Sequence, residues 1–361
     1  MDGLLLGIDG GASGLRVHVI EVLPTGRLRP GGRRAEHSWE GWHGFLPVDL
    51  EEQLRERDAL ESGSLELGEA ERGEGHAWVH TLANAVAELT FGLDVPDGLR
   101  LGVCMPGLKS ADGRGILVSR NGPRIPDFAD ELERQLAGRN LTLRAPLPPL
   151  ASDGIAAGWG EEHSPGGLMG GVPDAYYLAA GTGVAEALKQ DDRHLALDEV
   201  RARLPAPWSI ATREGETAED ALSLRNLARD LAGFLPGSAG SLPVEELARC
   251  SKEAGRRRLV TWATDLGEFL GARVRAVDSA GGRLDRIVVG QRSGGLVADG
   301  ELGPWVRDPL LSALETALSR GQDVGVPKTP FHPDLLMAST QRAAPAVGAA
   351  AAALGLVTEG S

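Results

Sequence analysis

Two glycine-rich turns, far apart in the chain, each follow a short apolar strand. The first turn, residues 10–14, lies between the predicted strands Leu4–Ile8 and Leu15–Val22. The second turn, Gly181–Gly183, follows the predicted strand Ala175–Ala180 and precedes another apolar run. Branched apolar residues on both sides of a short glycine turn predict a β-hairpin. The chain therefore carries two hairpins of similar build, which predicts a duplicated α/β architecture without a duplicated sequence.

The rest of the chain alternates between helical and strand patterns, and its length of 361 residues favours two domains. The stretch Leu50–Gly75 is rich in Glu and Arg, which predicts a solvated helix or a surface insertion. Apolar spacing predicts helices over His76–Leu93, Ile125–Leu136, Asp153–Glu162, Glu253–Val277, Pro304–Ser319 and Ala344–Leu356, and strands over Arg33–Trp39, Leu99–Cys104, Leu141–Leu147 and Asp285–Val289.

Charge and cysteine content exclude several classes of function. Acidic residues outnumber basic ones by 51 to 37, and a net charge of -14 disfavours a nucleic-acid partner. Cys104 and Cys250 supply neither a disulfide framework nor a thiolate metal site, which favours a reducing compartment. No stretch has the length of a membrane span or the pattern of a signal peptide. We therefore expect a cytoplasmic protein without a membrane partner.

Four loops with glycine follow predicted strands, and each contains a residue type that suits phosphate or metal binding. Glycine lets backbone N–H groups approach an anion, and a hydroxyl adds a donor. The carboxylate of Asp9 is suited to hold Mg²⁺ through water. Each loop taken alone is also typical of an ordinary turn. In their order along the chain they indicate a nucleotide held between the two hairpins: Asp9–Ser13, Ser152–Gly154, Gly181–Gly183 and Gly290–Gly295.

This arrangement resembles the sugar kinase/heat-shock protein/actin superfamily, and within it the ROK and BadF-like sugar kinases. The resemblance implies ATP and Mg²⁺, with Asp9 as the metal residue. Its phosphate-1 motif is matched by Asp9, Gly10, Gly11, Ser13 and Arg16, its phosphate-2 motif by Gly181, Thr182 and Gly183, and its adenosine loop by Gly290, Gly294 and Gly295.

The sugar-binding motifs of the family are matched between the two hairpins, by Pro106, Gly107, Asn121, Gly122, Ser152, Asp153 and Glu161. The resemblance implies that Asp153 is the general base and that Asn121 binds sugar hydroxyls. From the residues alone, Ser152 or Asp153 is equally suited to be a helix N-cap, and Asn121 to be a turn residue. Glu161 is either a sugar contact or an acid at a helix end.

The resemblance also implies two ribonuclease-H-like α/β domains with a cleft between them. The N-terminal domain is expected to comprise residues 1–152 and 341–361, with phosphate-1 and the sugar loops, and the C-terminal domain residues 153–340. The implied reaction is ATP-dependent phosphorylation of a hexose or amino sugar of the glucose, glucosamine or N-acetylglucosamine type. A homodimer is a further expectation of the resemblance.

Three departures from the family pattern keep other functions open. The cysteine-rich zinc segment common in ROK kinases is absent from the sequence, Ser152 replaces the usual Asn, and Glu186 follows phosphate-2, facing either the phosphates or solvent. One alternative is a nucleotide-binding pseudo-kinase or sensor. A BadF-type ATPase is disfavoured because it needs a cysteine-ligated cluster. A ROK repressor is disfavoured because the first predicted strand begins at residue 4, which leaves no room for a preceding DNA-binding element.

Overall fold

The computed structural model describes residues 3–39, 45–93, 95, 97–212, 215–235, 242–320 and 329–357. These residues form two compact units. The first unit runs to Gly166 and is completed by the segment that begins at Ala343, and the second spans Gly167–Arg342. No described helix combines the length and the apolar character needed to cross a membrane.

The strands are short, and most of them are buried on both faces. In chain order they are β1 (Leu4–Gly10), β2 (Gly14–Val22), β3 (Leu28–Ser38), β4 (Leu99–Cys104), β5 (Leu108–Lys109), β6 (Ile116–Val118), β7 (Ala175–Ala180), β8 (Val184–Gln190), β9 (Arg193–Leu195), β10 (Arg286–Val289) and β11 (Leu336–Ala338). The predicted bounds of β4 and β7 are confirmed.

These strands form a four-stranded sheet, a five-stranded sheet and a small two-stranded sheet of β5 and β6, and the helices pack around them. In chain order they are α1 (Leu50–Glu61), α2 (Glu69–Thr90), α3 (Phe128–Ala137), α4 (Asp153–His163), α5 (Ala218–Leu222), α6 (Leu224–Gly233), α7 (Val244–Cys250), α8 (Glu253–Ser279), α9 (Gln291–Ala298), α10 (Arg307–Ser319) and α11 (Ala344–Ala353). Helix α3 begins later than predicted because the main chain of Ile125 pairs with that of Ile116 instead.

The sheet of the first unit has the strand order β3-β2-β1-β4. The first three strands form an antiparallel meander, and β4 lies parallel to β1. Two parallel bridges, Leu99 with Leu143 and Cys104 with Ala151, continue the pairing beyond β4. The prediction of a strand over Leu141–Leu147 is wrong, because the described pairing of this segment is the isolated bridge between Leu143 and Leu99. Prolines within residues 146–149 supply no N–H group for a ladder.

The sheet of the second unit repeats this arrangement, with the strand order β11-β10-β7-β8-β9. Strands β7, β8 and β9 form an antiparallel meander, β10 lies parallel to β7, and β11 lies parallel to β10. The first strand of each unit therefore pairs with its own hairpin partner on one side and with a parallel strand on the other. This repetition confirms the duplicated architecture that the two hairpins predict.

Helix α11 returns to the first unit and packs on its sheet with almost no side chains between the backbones. A Cβ atom at Gly7 or Gly102 would lie 1.9 or 1.8 Å from a carbonyl oxygen of α11. A Cβ atom at Gly348 of α11 would lie 1.8 Å from the carbonyl oxygen of Ala156 in α4. Because α4 is held in this way, the units divide after Gly166, whereas the sequence analysis starts the second domain at Asp153.

The close approach of α11 and α4 predicts a strong effect of one methyl group. Gly348→Ala should destabilise the protein by about 1–3 kcal/mol, because the helices must separate to admit the Cβ atom. Gly138→Ala is the matched control, since a Cβ atom there makes only ordinary contacts at 3.6 Å. Chemical denaturation of both variants measures the difference, and equal stability of the two would contradict backbone-to-backbone packing.

Candidate functional site

In the first unit, parallel pairing brings the ends of three separate segments into one row. Asp9 pairs with Cys104 in the register of β1 and β4, and Cys104 forms a parallel bridge with Ala151. Chains that run in the same direction leave a sheet at the same edge. The residues that leave at this edge are Gly10–Ser13, Met105–Gly107 and Ser152–Asp153.

Asp9 ends β1 as a carboxylate that is largely removed from water. Its side chain is 12% exposed, and its Oδ2 lies 3.6 Å from an Nη1 nitrogen of Arg16. Burial, with a smaller contribution from the charge of Asp153, raises the pKa of Asp9 to about 6 against the opposing effect of Arg16. The two acids therefore act on each other electrostatically, as expected of side chains that share one edge.

Asp153 is the first residue of α4, and Ser152 is the residue that caps this helix. The Ser152 hydroxyl accepts a hydrogen bond from the Ile155 N–H at 3.2 Å. Oδ1 of Asp153 accepts one from the N–H of Gly154 at 3.0 Å. Burial raises the pKa of Asp153, while the positive charge of Lys109 and the Gly154 N–H lower it. The N-cap alternative thus applies to Ser152, and Asp153 has the desolvated environment typical of a proton acceptor.

Lys109, a residue that the sequence analysis does not single out, anchors the Pro-Gly turn beside this edge. Its Nζ donates hydrogen bonds to the carbonyl oxygens of Met105 at 2.8 Å and Gly107 at 2.6 Å. The half-buried ammonium group thus fixes the turn and also favours the ionised form of Asp153. The signal in the sequence was a lysine two residues after Pro106-Gly107.

The glycines of the first hairpin fall into two kinds. A Cβ atom at Gly10 would lie 2.0 Å from the sulfur of Met105, so neighbouring protein atoms require this glycine. A Cβ atom at Gly11 would meet nothing closer than the carbonyl oxygen of Gly14 at 3.6 Å, and the backbone φ of Gly11 is not positive. Neither packing nor conformation requires a glycine at position 11. The open space beside Gly11 and the exposed hydroxyl of Ser13 are what a phosphate-binding tip provides.

Asn121 lies exposed on a loop that is held from below by an aromatic ring. A Cβ atom at Gly122 would lie 2.3 Å from Cη2 of Trp78, so the ring edge touches the loop backbone. The Asn121 side chain is therefore presented to solvent on a supported turn, which agrees with either a sugar contact or a turn residue.

Helix α1 and the first turn of α2 also hold the chain on either side of Asn121, at Ser119 and Arg124. The Gln53 amide bonds both main-chain groups of Ser119, accepting at 2.7 Å and donating at 3.0 Å. Arg124 is 4% exposed and pairs with Glu71 at 2.8 Å and Glu56 at 2.6 Å. The prediction of a solvated face for Leu50–Gly75 is therefore wrong at Gln53, Glu56 and Glu71.

Glu161 is not brought to the edge with the other predicted sugar residues. It lies two turns beyond Asp153 on α4, about 12 Å along the helix axis at 1.5 Å per residue. Its side chain is fully buried. The position fits an acid inside the first unit and not a contact to a sugar beside Asp153.

In the second unit, the equivalent strand ends bring phosphate-2 and the predicted adenosine loop together. Leu178 pairs with Val289 in parallel register, and the N–H of Gly290 donates to the Leu178 carbonyl at 2.8 Å. The hydroxyl of Ser293 accepts from the N–H of Ala180 at 2.9 Å and donates to the Gly290 carbonyl at 2.8 Å. Ser293, which the sequence analysis did not select, therefore ties the two segments.

The glycines of this second edge again separate into packed and open positions. A Cβ atom at Gly183, Gly290 or Gly294 would lie 2.7, 2.3 or 2.1 Å from Glu219, Tyr177 or Ser339, respectively. A Cβ atom at Gly181 would meet nothing within 4 Å. Gly181 thus corresponds to Gly11 of the first hairpin, and the neighbouring Thr182 is half-buried.

The expected adenosine loop is largely a helix. Gly290 is the N-cap of α9, and Gly294 and Gly295 lie inside this helix. A loop is wrong here because the N–H of Gly294 donates to the Gly290 carbonyl at 2.8 Å and so begins the helical pattern. The nearest atom to a Cβ at Gly295 is the far end of Arg342 at 3.1 Å, so this position faces only a flexible side chain.

Glu186 faces neither the phosphates nor solvent. It is 5% exposed, pairs with Arg273 at 2.8 Å and with Arg201 at 3.4 Å, and accepts a hydrogen bond from the Tyr176 hydroxyl. The negative charge after phosphate-2 is therefore balanced inside the second unit.

The residue predicted to hold Mg²⁺ is the strand-end carboxylate of Asp9. Among the residues that the structure describes, three or more His, Cys, Asp or Glu side chains do not cluster in a metal-binding arrangement. Asp9 beside the open space at Gly11 fits a magnesium ion that keeps most of its water ligands.

Comparison with known proteins gives matches at the level of structure. Neither protein-family models nor curated protein sequences match this chain. A ROK family glucokinase from Streptomyces griseus, solved with glucose and AMPPNP, has a TM-score of 0.64 at 19% identity, over 96% of this chain and 98% of that one. An inorganic polyphosphate/ATP-glucomannokinase from Arthrobacter sp. strain KM has a TM-score of 0.58 at 16% identity, over 98% of this chain and all (100%) of that one.

This chain has the fold of the ROK sugar kinases. The resemblance found from the sequence motifs is confirmed at this level. A ROK family transcriptional regulator, described as a homolog of the E. coli MLC protein, shares the fold with a TM-score of 0.52 at 13% identity, over 97% of this chain and 78% of that one. The ROK fold therefore accommodates both catalysis and regulation, and the site residues must decide between them.

The desolvation of Asp9 predicts a pH-dependent effect on stability. Because the pKa of Asp9 is about 6 in the fold and 3.8 ordinarily, the folded chain holds this proton more firmly, and stability falls as pH rises between these values. Asp9→Asn should raise the free energy of unfolding by up to about 3 kcal/mol near pH 7.5, and this gain should vanish near pH 4.

Thermal unfolding at several pH values measures this effect. Asp58→Asn, which neutralises an exposed acid in the same unit, serves as the control and should show no such pH-dependent gain. An Asp9→Asn variant that is less stable than the wild type at neutral pH would show that Arg16 outweighs desolvation.

Proposed function

We propose that the protein is an ATP-dependent sugar kinase that transfers the γ-phosphate to a hydroxyl of a hexose or amino sugar. The observation that carries this proposal is the shared edge of the first unit. Asp9, Cys104 and Ala151 are adjacent in parallel pairing at this edge. The open tip at Gly11 comes two residues after Asp9, and the desolvated carboxyl of Asp153 comes two residues after Ala151. Phosphoryl transfer to an alcohol needs a group that accepts the hydroxyl proton and a site that binds the phosphates, and this edge offers candidates for both.

Asp153 is the proposed general base, which accepts the proton of the attacking sugar hydroxyl. Its desolvation strengthens it as a base, while Lys109 and the N–H of Gly154 keep it ionised. Proton transfer of this kind contributes roughly 10²–10⁴-fold to a rate. Asn121 is the proposed contact to neighbouring sugar hydroxyls, because an amide both donates and accepts hydrogen bonds. The Pro106-Gly107 turn, anchored by Lys109, leaves the sheet at the same edge as Asp153 and is proposed to border the sugar.

The nucleotide phosphates are proposed to bind at the two open glycines, Gly11 and Gly181, with the hydroxyls of Ser13 and Thr182 as donors. Asp9 would hold Mg²⁺ through water, and the ion would neutralise charge on the phosphate oxygens. The adenosine would be bound at Gly290, Gly294 and Gly295, where the start of α9 lies beside phosphate-2. Arg16 balances Asp9 and is half-exposed, so its proposed role is charge neutralisation.

The proposed binding of one triphosphate by both hairpins rests on two ribonuclease-H-like domains, and the cleft between them stays a prediction. The order β3-β2-β1-β4 in one unit and β9-β8-β7-β10 in the other, where β11 is added, and the likeness to the glucokinase solved with glucose and AMPPNP support two domains of this type. Closure around both substrates would exclude water and limit hydrolysis of ATP. The cytoplasmic location and the homodimer stay predictions.

A nucleotide-binding sensor without transfer activity is the second candidate. The transcriptional regulator with the same fold and the replacement of the usual Asn by Ser152 favour it. The two candidates differ in whether ADP is released in the presence of a sugar.

A panel of hexoses and amino sugars with ATP and Mg²⁺ tests the proposed activity. We expect ADP release that depends on one or more sugars. Asp153→Asn should lower turnover by more than roughly tenfold with little change in AMPPNP affinity, because the base is lost and the phosphate contacts are not. Asp127→Asn, at the exposed N-terminus of α3, is the control and should keep full turnover.

Two outcomes of this panel speak against parts of the proposal. Near-normal turnover of Asp153→Asn would remove the base assignment. An absence of ADP release with every sugar, while AMPPNP still raises the melting temperature, would favour the sensor.

The open glycines predict a second set of variants. Gly11→Val and Gly181→Val should each weaken AMPPNP binding by more than roughly tenfold, since the side chain would occupy the space proposed for phosphates. Gly32→Val on β3 is the control, because it also adds a side chain where nothing lies within 4 Å. Titration calorimetry compares the three. If only one of the two hairpin variants loses affinity for AMPPNP, the proposal that both hairpins bind the same nucleotide is wrong.

A further inference from the structure

An aromatic stack joins the phosphate-1 tip to the body of the first unit. The indole N–H of Trp39, which follows β3, donates a hydrogen bond to the carbonyl oxygen of Gly11 at 2.7 Å. The Trp39 ring lies flat on the ring of Trp78, with 4.3 Å between centroids and an interplanar angle of 5°. The open hairpin tip is therefore attached to α2 through two tryptophans, although neither belongs to a family motif.

Trp78, the inner tryptophan of this stack, is itself fixed, and it supports the sugar loop, which is the turn at Asn121 and Gly122. Trp78 is buried, and its indole N–H donates to the carboxylate of Glu74 at 2.8 Å. Its ring edge touches the backbone of Gly122, next to Asn121. One rigid stack thus contacts the tip at Gly11 and the loop at Gly122.

In the second hairpin the tip carbonyl, that of Gly181, also accepts a hydrogen bond from another element. The N–H of Arg225, at the start of α6, donates to the carbonyl of Gly181 at 3.2 Å. In both units the open glycine of the hairpin therefore has its carbonyl oxygen bound by a donor from another element. In the first unit this donor is a side chain, which makes it accessible to substitution.

We propose that Trp39 is a positioning residue, which holds the Gly11 tip at a set place relative to the sugar loop by stacking on Trp78. The expected effect on nucleotide binding rests on the proposed function. The expected effect on the order of the tip rests only on the contacts of Trp39 with Gly11 and Trp78. Beyond the last strand pair, Gly10 with Leu15, the tip is closed by the bond from the Gly11 N–H to the Gly14 carbonyl at 2.8 Å, and the tie from Trp39 should reduce its local opening. Ordering the tip before the nucleotide arrives lowers the entropy cost of binding.

The test compares wild type, Trp39→Phe, Trp39→Ala and the control Trp305→Phe in the full chain. Trp305 lies in the second unit, where it contacts Arg256. Amide hydrogen exchange of the ligand-free proteins is followed for the peptide that covers residues 9–16. We expect Trp39→Ala to speed exchange in this peptide by about tenfold or more, and Trp39→Phe, which can still stack, to speed it by about threefold. AMPPNP affinity should fall in the same order.

Exchange in the strands separates positioning from a general loss of stability. If exchange rises equally across β1, β2 and β4, Trp39 is merely structural and the proposal is wrong. It is also wrong if residues 9–16 exchange as slowly in both Trp39 variants as in Trp305→Phe. A faster tip together with a wild type that releases no ADP with any sugar would retain the positioning role and reject the kinase.

Discussion

Parallel pairing at one edge of the first sheet is the constraint on which the candidate site depends. Asp9, Cys104 and Ala151 lie side by side because β1, β4 and the segment before α4 run in the same direction. The hairpin tip, the Pro-Gly turn and the start of α4 must then leave the sheet together. Asp9 and Cys104, 95 positions apart in sequence, thus become neighbours through their backbones, without any direct contact between their side chains being needed.

Desolvation gives this edge its chemical character. Burial raises the pKa of Asp9 and of Asp153, and each acid has only partial compensation, from Arg16 and from Lys109. Buried acids with partial compensation lower the stability of a fold, and such acids are typical of functional sites. The opposite case is Glu186, whose charge is fully paired with Arg273 and which serves the interior of the second unit.

Much of the fold follows from local patterns, and less of the site does. The hairpins, β4, β7 and the start of α4 have clear signals, because apolar runs end at glycine or at a capping serine. The role of α1 and of the first turn of α2 has no such signal: Glu56 and Glu71 belong to a pattern typical of a solvated face, and their partner Arg124 is remote in sequence. The prolines after Leu143 prevented a strand that apolar composition alone predicted.

The amino-acid pattern is enough to predict that two glycine-rich turns end apolar strands and that Asp153 begins a helix after Ser152. These are properties of neighbouring residues and of their backbone preferences. Which glycines are open and which are filled depends on tertiary packing, since a Cβ atom would lie 2.0 Å from Met105 at Gly10 but no closer than 3.6 Å to any atom at Gly11. The tertiary structure also decided that Trp39 stacks on Trp78, because such contacts depend on how distant segments pack, which no local pattern encodes.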